Sequence, residues 1–284
     1  EYDFAGQATF KTLKRRNKVH AIVCIKQVPD TTEVKIDPER GTLIREGVPS
    51  IINPFDTYAI EEALRIREKF GGKVTVITMG PSQALSALKE AIAMGADEAI
   101  LLNDREFAGA DTWATAYTLS RAIKKIGEFD LIFCGRQAID GDTGQTGPGI
   151  ATQLQISQLT YVCRVASLDF DNKTIEVERL VEEGREVVKS TLPCLITVVK
   201  DINQPRYPTI LGIRRSQKVQ IPVWTSKDLD VNPDLIGLKG SPTRVVKIST
   251  PPPRAGECQI IEGESAEQQA EILAEKLLAE KIII

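Results

Sequence analysis

The chain has 284 residues, with 36 Lys and Arg against 39 Asp and Glu, and a formal net charge of −3. A charge this close to neutral gives no overall basic field, so we expect no nucleic-acid partner. The five cysteines form no C-x-x-C pair, and His20 is the one histidine. These residues therefore predict neither a metal site nor a disulfide framework. The absence of a disulfide pattern favours a reducing, cytoplasmic setting. No apolar run approaches the roughly 20 residues of a membrane span, so we expect no transmembrane segment.

Residues 1–18 are predicted to be an N-terminal lead-in. The stretch 11–18 is basic and has no apolar signal core behind it. We expect it to be solvated, and a contact with a membrane surface or a partner is the alternative.

Strand and helix patterns alternate along the first half of the chain. We predict strands at 19–25, 73–79, 98–102 and 131–134, and helices at 56–70, 82–94 and 111–126. Asn53, Asp56, Ser82 and Asp111 stand where helix N-caps are useful. Such alternation predicts an α/β fold with an open, mostly parallel, Rossmann-like sheet flanked by helices, in a domain spanning 19–222.

Three segments follow predicted strands of this sheet directly: 24–26, 78–81 and 135–146. Ligands of open α/β sheets bind beyond the carboxyl ends of the strands. The topology therefore predicts that these three segments converge on one site.

The third segment begins a glycine-rich loop, 135–149, that runs into a helix expected near Pro148. Its glycines permit tight turns and close approach of the backbone to a ligand. Backbone N–H groups at a helix start favour phosphate, whereas the carboxylates of Asp140 and Asp142 suit ribose hydroxyls or N–H donors. A solvated glycine-rich turn is the alternative.

The pattern changes after residue 160. We predict an antiparallel meander at 161–169, 174–181, 186–190 and 194–199, and from Pro222 a composition typical of an extended arm. A closing helix begins at a capping box of Ser265 and Gln268 and carries an apolar stripe. Residues 223–284 are thus predicted to be a C-terminal arm and helix, and docking of the helix on its own domain is one way to bury the stripe.

Five segments resemble the β subunit of electron-transferring flavoproteins. They are Gly-Arg-Gln-Ala-Ile-Asp-Gly-Asp-Thr-Gly-Gln-Thr-Gly at 135–147, Cys-Ile-Lys-Gln-Val-Pro-Asp at 24–30, Asn-Pro-Phe-Asp at 53–56, Ala-Met-Gly-Ala-Asp at 93–97 and Gln-Pro-Arg-Tyr-Pro-Thr at 204–209. The stretch 177–197 is also similar to the family's signature, with Glu183 where that pattern prefers glycine or aspartate.

The resemblance implies an adenine-nucleotide site and no catalytic side chain, because a flavin carries its own chemistry. The implied cofactor-binding residues are Cys24, Lys26, Asn53, Phe55, Asp56, Met79, Gly80, Gly135, Arg136, Gln137, Ala138, Ile139, Asp140, Gly141, Asp142, Thr143, Gly144, Gln145 and Thr146.

The form of the loop is most similar to that of the bifurcating, FAD-containing β subunits. In these, FAD accepts hydride from NADH, and the electrons divide between the α-subunit FAD and a low-potential carrier, ferredoxin or flavodoxin. Arg136 is then expected near the flavin, or else paired with Asp140 or Asp142; Lys26 is expected near the flavin or the NADH phosphates, or else at the end of the first strand. The alternatives are a non-bifurcating β subunit with a structural AMP and a non-redox adenine-nucleotide-binding protein.

The resemblance further implies a heterodimer with an α subunit, in which the C-terminal helix of 223–284 docks on this partner subunit. It also implies redox partners such as an acyl-CoA dehydrogenase or a quinone oxidoreductase. Peripheral membrane attachment through such a partner is left open. The implied partner-recognition residues are Arg206, Tyr207, Thr209, Ile210, Leu211 and Ile213, and a loop packed on the core is the alternative for this segment.

Rival nucleotide folds lack their motifs in this chain. A phosphate loop ending in Gly-Lys-Ser/Thr is missing, as is a G-x-G-x-x-G after the first strand. A compact adenine-nucleotide sensor would need neither the arm nor the terminal helix.

Overall fold

The computed structural model describes residues 18–30, 49–246 and 258–283. The chain divides into two compact units, Glu1–Val246 and Lys247–Ile284. Most of the predicted N-terminal lead-in and the Pro-Pro-Pro run of the predicted arm lie outside the described residues.

Strands and helices alternate in the first unit, as the hydrophobic pattern predicted. The strands are β1 (Val19–Cys24), β2 (Gln27–Pro29), β3 (Ser50–Ile52), β4 (Gly72–Met79), β5 (Glu98–Leu102), β6 (Leu131–Gly135), β7 (Ser157–Asp169), β8 (Thr174–Val181), β9 (Gly184–Thr191), β10 (Cys194–Val198) and β11 (Val223–Trp224). The helices are α1 (Pro54–Phe70), α2 (Leu85–Met94), α3 (Thr112–Ile126), α4 (Thr146–Leu154) and α5 (Ile210–Lys218); the second unit contains α6 (Ala266–Ala279).

The described strands other than β2 and β3 form one sheet in the order β11-β5-β4-β1-β6-β10-β7-β8-β9. Pairing is parallel from β11 to β7 and antiparallel from β7 to β9. The predicted Rossmann-like sheet is confirmed, and so is the antiparallel meander for β7–β9. The prediction of 194–199 as a fourth meander strand was wrong: β10 pairs parallel with β6 and β7, and its fully buried residues suit a central strand of the parallel sheet.

Alternate residues of the central strand β1 face opposite helical layers. Val23 packs with apolar residues of α1 and α2, such as Leu64 and Leu88. Ile22 packs on the other face with residues of α3 and α4, such as Leu119. Because β1 is buried on both faces, its residues 21–24 form a continuous apolar run.

Several predicted helix starts need correction. Asp111 caps α3 as expected, accepting bonds from the amides of Trp113 and Ala114. Ser82 does not cap a helix; it opens a 3₁₀ turn after Pro81, and α2 begins at Leu85. Helix α4 begins at Thr146, before Pro148. Proline is tolerated at this position because the N–H groups of a first helical turn have no intrahelical partner.

The segment after Pro222 differs from the expected extended arm. Strand β11 joins the sheet edge beside β5, and Leu229 and Ile236 are buried in the core on the α3 side. These apolar side chains anchor a stretch whose Pro, Ser, Lys and Asp content alone suggested an arm.

In the second unit, the Ser265 hydroxyl caps α6 by accepting from the Gln268 amide at 3.3 Å. The Gln268 side chain accepts from the amide of Glu264 instead of that of Ser265, so half of the predicted capping box forms. No side chain of α6 is buried. Among the described residues, no helix has the length and apolar character needed to cross a membrane.

Candidate nucleotide site

The three segments predicted to converge do lie side by side. They follow β4, β1 and β6, which are neighbours in the sheet. Cys24, near the end of β1, pairs in register with Ile77 on one side and Cys134 on the other. The carboxyl ends of these strands therefore form one edge, from which the glycine-rich loop leaves.

Asp56 joins α1 to this edge. Its carboxylate accepts from the backbone amides of Lys26 at 2.7 Å and Gly135 at 3.1 Å. Burial raises the pKa of Asp56 to about 7, although these hydrogen bonds favour the charged form. The expectation that Asp56 acts as an N-cap was wrong, because the residue lies inside α1 and its side chain holds two strand ends.

Asn53 occupies the N-cap position of α1 but makes no side-chain capping bond. Its amide group binds the loop instead: the nitrogen donates to the carbonyl of Gln137 at 2.9 Å, and the oxygen accepts from the amide of Ile139 at 3.1 Å. The Asn53 backbone amide also donates to the carbonyl of Lys26 at 2.8 Å. One buried side chain thus fixes the first turn of the glycine loop.

Further contacts hold the exposed part of the loop. The Lys26 ammonium lies 2.6 Å from a carboxylate oxygen of Asp140. Asp142 has a left-handed backbone, with φ of 52°, and accepts from the side chain of Gln137. The Thr112 hydroxyl donates to the side chain of Gln145 at 3.0 Å. These bonds position a loop whose residues Ile139–Thr143 are exposed.

Arg136 does not pair with Asp140 or Asp142. Its guanidinium carbon lies 5.7 Å from the ring centre of Phe55 and 5.2 Å from that of Tyr161. Its Nε donates to the side-chain oxygen of Gln137 at 2.6 Å. The cation is therefore held by aromatic faces and a neutral amide.

The loop glycines differ in what surrounds them. A Cβ on Gly135 would overlap a carboxylate oxygen of Asp56 and would lie 2.7 Å from the backbone of Phe55. A Cβ on Gly147 would lie 2.8 Å from a methyl group of Thr197. At Gly141 the nearest atom is the Lys26 ammonium, at 4.0 Å. Gly135 and Gly147 are required by packing, whereas Gly141 leaves open space.

The other expected cofactor residues lie along the same edge. Met79 and Gly80 are half-buried at the end of β4, while Cys24 is buried. A hydrogen bond with Cys24 and burial raise the pKa of Cys134 well above its usual value, so the Cys134 thiol stays protonated. The structure adds Thr112, Tyr161 and Thr197, which the sequence analysis missed; no motif or periodicity marks them. Within the described ranges no group of three His, Cys, Asp or Glu is placed to hold a metal ion.

Three of the six expected partner-recognition residues, Ile210, Leu211 and Ile213, lie on α5. Thr209 caps α5 by accepting from the amide of Gly212 at 3.0 Å. Tyr207, Ile210 and Leu211 are 91%, 80% and 75% exposed, and Ile213 is exposed as well. These four side chains, with the exposed cations Arg214 and Lys218, form what we call the α5 surface.

Arg206 differs from its neighbours. Its Nε lies 2.7 Å from a carboxylate oxygen of Glu61, and its guanidinium also contacts Glu68. Glu61 is 3% exposed. Arg206 therefore fastens the segment before α5 to α1.

The sheet order and the loop at its carboxyl edge define a Rossmann-like α/β protein. A profile of the Electron transfer flavoprotein domain matches residues 40–229. The electron transfer flavoprotein subunit β of Thermoanaerobacterium thermosaccharolyticum is 58% identical over 84% of this chain and 91% of its own length. The chain belongs to the electron transfer flavoprotein β-subunit family.

Two further relatives agree. Protein FixA of Azotobacter vinelandii is 46% identical over 92% of this chain and 94% of its own length. The caffeyl-CoA reductase–Etf complex subunit CarD of Acetobacterium woodii is 49% identical over 92% of this chain and 99% of its own length. The family establishes a role in flavoprotein electron transfer.

Proposed function

We propose that this chain is the β subunit of a heterodimeric, electron-bifurcating flavoprotein and holds FAD at the glycine loop. When bound, FAD supplies hydride acceptance from NADH and transfer of single electrons, one through the α-subunit FAD to a high-potential acceptor and one to ferredoxin or flavodoxin. The observation that carries the proposal is Arg136, a cation at the loop held by Phe55, Tyr161 and Gln137 instead of a carboxylate.

The residues present fit such a group. Open space at Gly141 leaves room for a planar ring system above the sheet edge. Helix α4 begins at Thr146 without a side-chain cap, so its first N–H groups suit a phosphate. Met79, Gly80 and Cys24 provide the floor expected under adenine and ribose.

Each polar residue of the site then has one role. Lys26 holds the loop through Asp140, and Asn53 fixes its first turn. Arg136 supplies positive charge, which favours the anionic form of a reduced flavin. Asp56 keeps the loop's origin at the end of β6 and touches no ligand in this scheme.

Docking completes the proposal. The exposed apolar side chains of the α5 surface between cations suit a redox partner, and the name of the CarD relative favours an oxidoreductase acting on a CoA ester. The half-exposed Leu273 and Leu278 of α6 suit burial against the α subunit. Four buried free cysteines fit a reducing, cytoplasmic setting, with any membrane attachment made by a partner.

The test is a nucleotide inventory of the chain copurified with its α subunit. Acid extraction and chromatography should find two FAD and no AMP per heterodimer. One FAD and one AMP would overturn the proposal and leave a structural, docking subunit.

A matched pair of variants sharpens the inventory. Gly141→Glu, which adds a bulky acid in the open space, should lower the second FAD well below one per heterodimer. Gly141→Ala should keep it, since the added methyl meets no atom closer than the Lys26 ammonium at 4.0 Å. Equal FAD content in the two variants would contradict the placement of the ring near Gly141.

A further inference from the structure

Tyr161 lies at an irregular point of β7. The pairing of β7 with β10 passes from Leu159 opposite Ile196 to Val162 opposite Val198. Two residues of β7 therefore face Thr197 alone, which is the arrangement of a β-bulge. The Tyr161 amide donates to the Thr197 hydroxyl at 3.1 Å and so holds the bulge in place.

The bulge forces Tyr161 into a left-handed backbone conformation, with φ of 58°. A bulky residue rarely adopts this conformation, and it persists only where the surroundings impose it. Bulges beside functional sites often redirect a side chain. Here the redirected ring, which is 41% exposed, lies against the guanidinium of Arg136.

Arg136 is fixed from four directions. Its backbone amide donates to the carbonyl of Val198 at 2.9 Å, at the level of the bulge. Its Nε bonds to Gln137, and its guanidinium lies within cation–π range of Phe55 and Tyr161. Among the residues that the structure describes, the two terminal Nη atoms of Arg136 have no hydrogen-bond or ion-pair partner. A rigid fork with open donors is suited to an anionic or electron-rich planar group.

We propose that Tyr161 is a positioning residue for the cofactor site: its ring, with that of Phe55, holds the Arg136 fork where it meets the negative charge of the bound nucleotide. The identity of that nucleotide as FAD rests on the proposed function. The coupling between Tyr161 and Arg136 does not rest on the proposed function, because it follows from the geometry of the chain.

The experiment uses the heterodimer with its α subunit and measures the midpoint potential of the flavin in this chain. Arg136→Gln should disfavour the reduced flavin about tenfold, which is about 30 mV for a two-electron couple. Tyr161→Leu should shift the potential in the same direction and by a smaller amount. The double variant should match Arg136→Gln alone, because a ring with no cation to hold has no effect.

Three further variants separate positioning from folding. Tyr161→Phe keeps the ring and should match the wild type. Tyr161→Asn removes the ring but tolerates a left-handed backbone, so it keeps the bulge and should behave like Tyr161→Leu. Val187→Ala truncates a side chain of β9 that is 61% exposed and should leave the potential unchanged.

The proposal is overturned if folded Tyr161→Asn keeps the wild-type potential, or if its shift adds fully to that of Arg136→Gln. Should the wild-type heterodimer hold AMP in this chain, the proposed function fails while the positioning role remains testable. The same double-mutant cycle is then measured in the dissociation constant of AMP, where additive losses would sink the positioning role and non-additive losses would support it.

Discussion

The carboxylate of Asp56 accepts a hydrogen bond from the backbone amide of Gly135 at 3.1 Å, at the point where β6 passes into the glycine loop. Its other oxygen accepts from the amide of Lys26 at 2.7 Å, at the end of β1. A side chain near the start of α1 thus ties two neighbouring strands together beneath the proposed cofactor. Because this carboxylate is buried, its ionisation is linked to the stability of the site.

Asp56 should make the stability of the protein fall between about pH 4 and pH 7. Burial raises its pKa from 3.8 to about 7, so the native state binds the proton more tightly than the unfolded chain. The resulting stabilisation is complete below pH 4 and is lost as pH rises through 7; it amounts to about 4 kcal/mol. Urea unfolding of wild type and Asp56→Asn across pH 4–8 should show a flatter profile for the variant.

Asp111 provides a control of opposite sign. Although burial opposes the shift, hydrogen bonds from Ala114 and Thr243 lower the pKa of this helix cap. Its stabilisation is present above the unfolded pKa and is lost as pH falls, so Asp111→Asn should remove stability mainly at neutral pH. If Asp56→Asn and Asp111→Asn change the pH profile in the same direction, the role assigned to Asp56 is wrong.

Gly135→Ala should destabilise the protein by about 1–3 kcal/mol, because the new methyl overlaps Asp56 and Phe55 and the packed edge must shift. Gly141→Ala, six positions later in the same loop, is the matched control and should change the unfolding free energy by less than about 0.5 kcal/mol. Denaturant unfolding of both variants measures the difference. Equal destabilisation would show that the close approach at Gly135 does not constrain the loop.

Asn53→Ala should loosen the glycine loop. The substitution leaves the Gln137 carbonyl and the Ile139 amide without their partner, at a combined cost of about 1–3 kcal/mol because both bonds are partly buried. Hydrogen exchange at the Ile139 amide should accelerate. Asn103→Ala, which removes an exposed bond to Ser82, should leave that exchange rate unchanged; acceleration in both variants would point to a general loss of stability.

Periodicity and turn residues were enough to predict the parallel sheet, the meander of β7–β9 and the convergence of three loops on one edge, but not the parallel pairing of β10. These features depend on neighbouring residues, which share a strand or helix face. The roles of Asn53 and Asp56 were harder to predict. Their position at a helix start suggested capping bonds to nearby amides, whereas in the fold their side chains bond to backbone groups distant in the sequence. The sequence places both residues near the site without indicating what they bind.

Tyr161 and Arg206 show why some of the site lies beyond sequence reasoning. The ring of Tyr161 reaches Arg136 only because of a bulge, and bulges leave no periodic trace. Arg206 pairs with Glu61, which lies 145 positions away in the chain. The residues around Arg206 do not indicate this partner, so the sequence predicted only an exposed partner-recognition side chain. Long-range pairing decided both positions.

Arg206→Ala should destabilise the attachment of α5 by about 2 kcal/mol, because charged hydrogen bonds to a buried carboxylate are lost. Thermal unfolding measures the change, and Arg206→Lys should restore little of it, since lysine lacks the planar fork. Arg185→Ala is the control: that side chain is 61% exposed and lies 4.0 Å from Glu178, so its loss should be close to neutral. A neutral Arg206→Ala would mean that Glu61 is satisfied by Arg65 alone.

Leu211→Ala should weaken binding of the redox partner without affecting stability. Leu211 is 75% exposed, so its truncation leaves no cavity in the chain, whereas an apolar anchor buried by a partner commonly contributes 2 kcal/mol or more, about thirtyfold in affinity. Titration of the heterodimer with its acceptor measures the loss. Val187→Ala, on the exposed β9, truncates a side chain 61% exposed and should leave affinity unchanged. Equal affinity for both variants would place the docking site away from the α5 surface, because truncation of a Leu211 side chain buried by the partner must weaken binding.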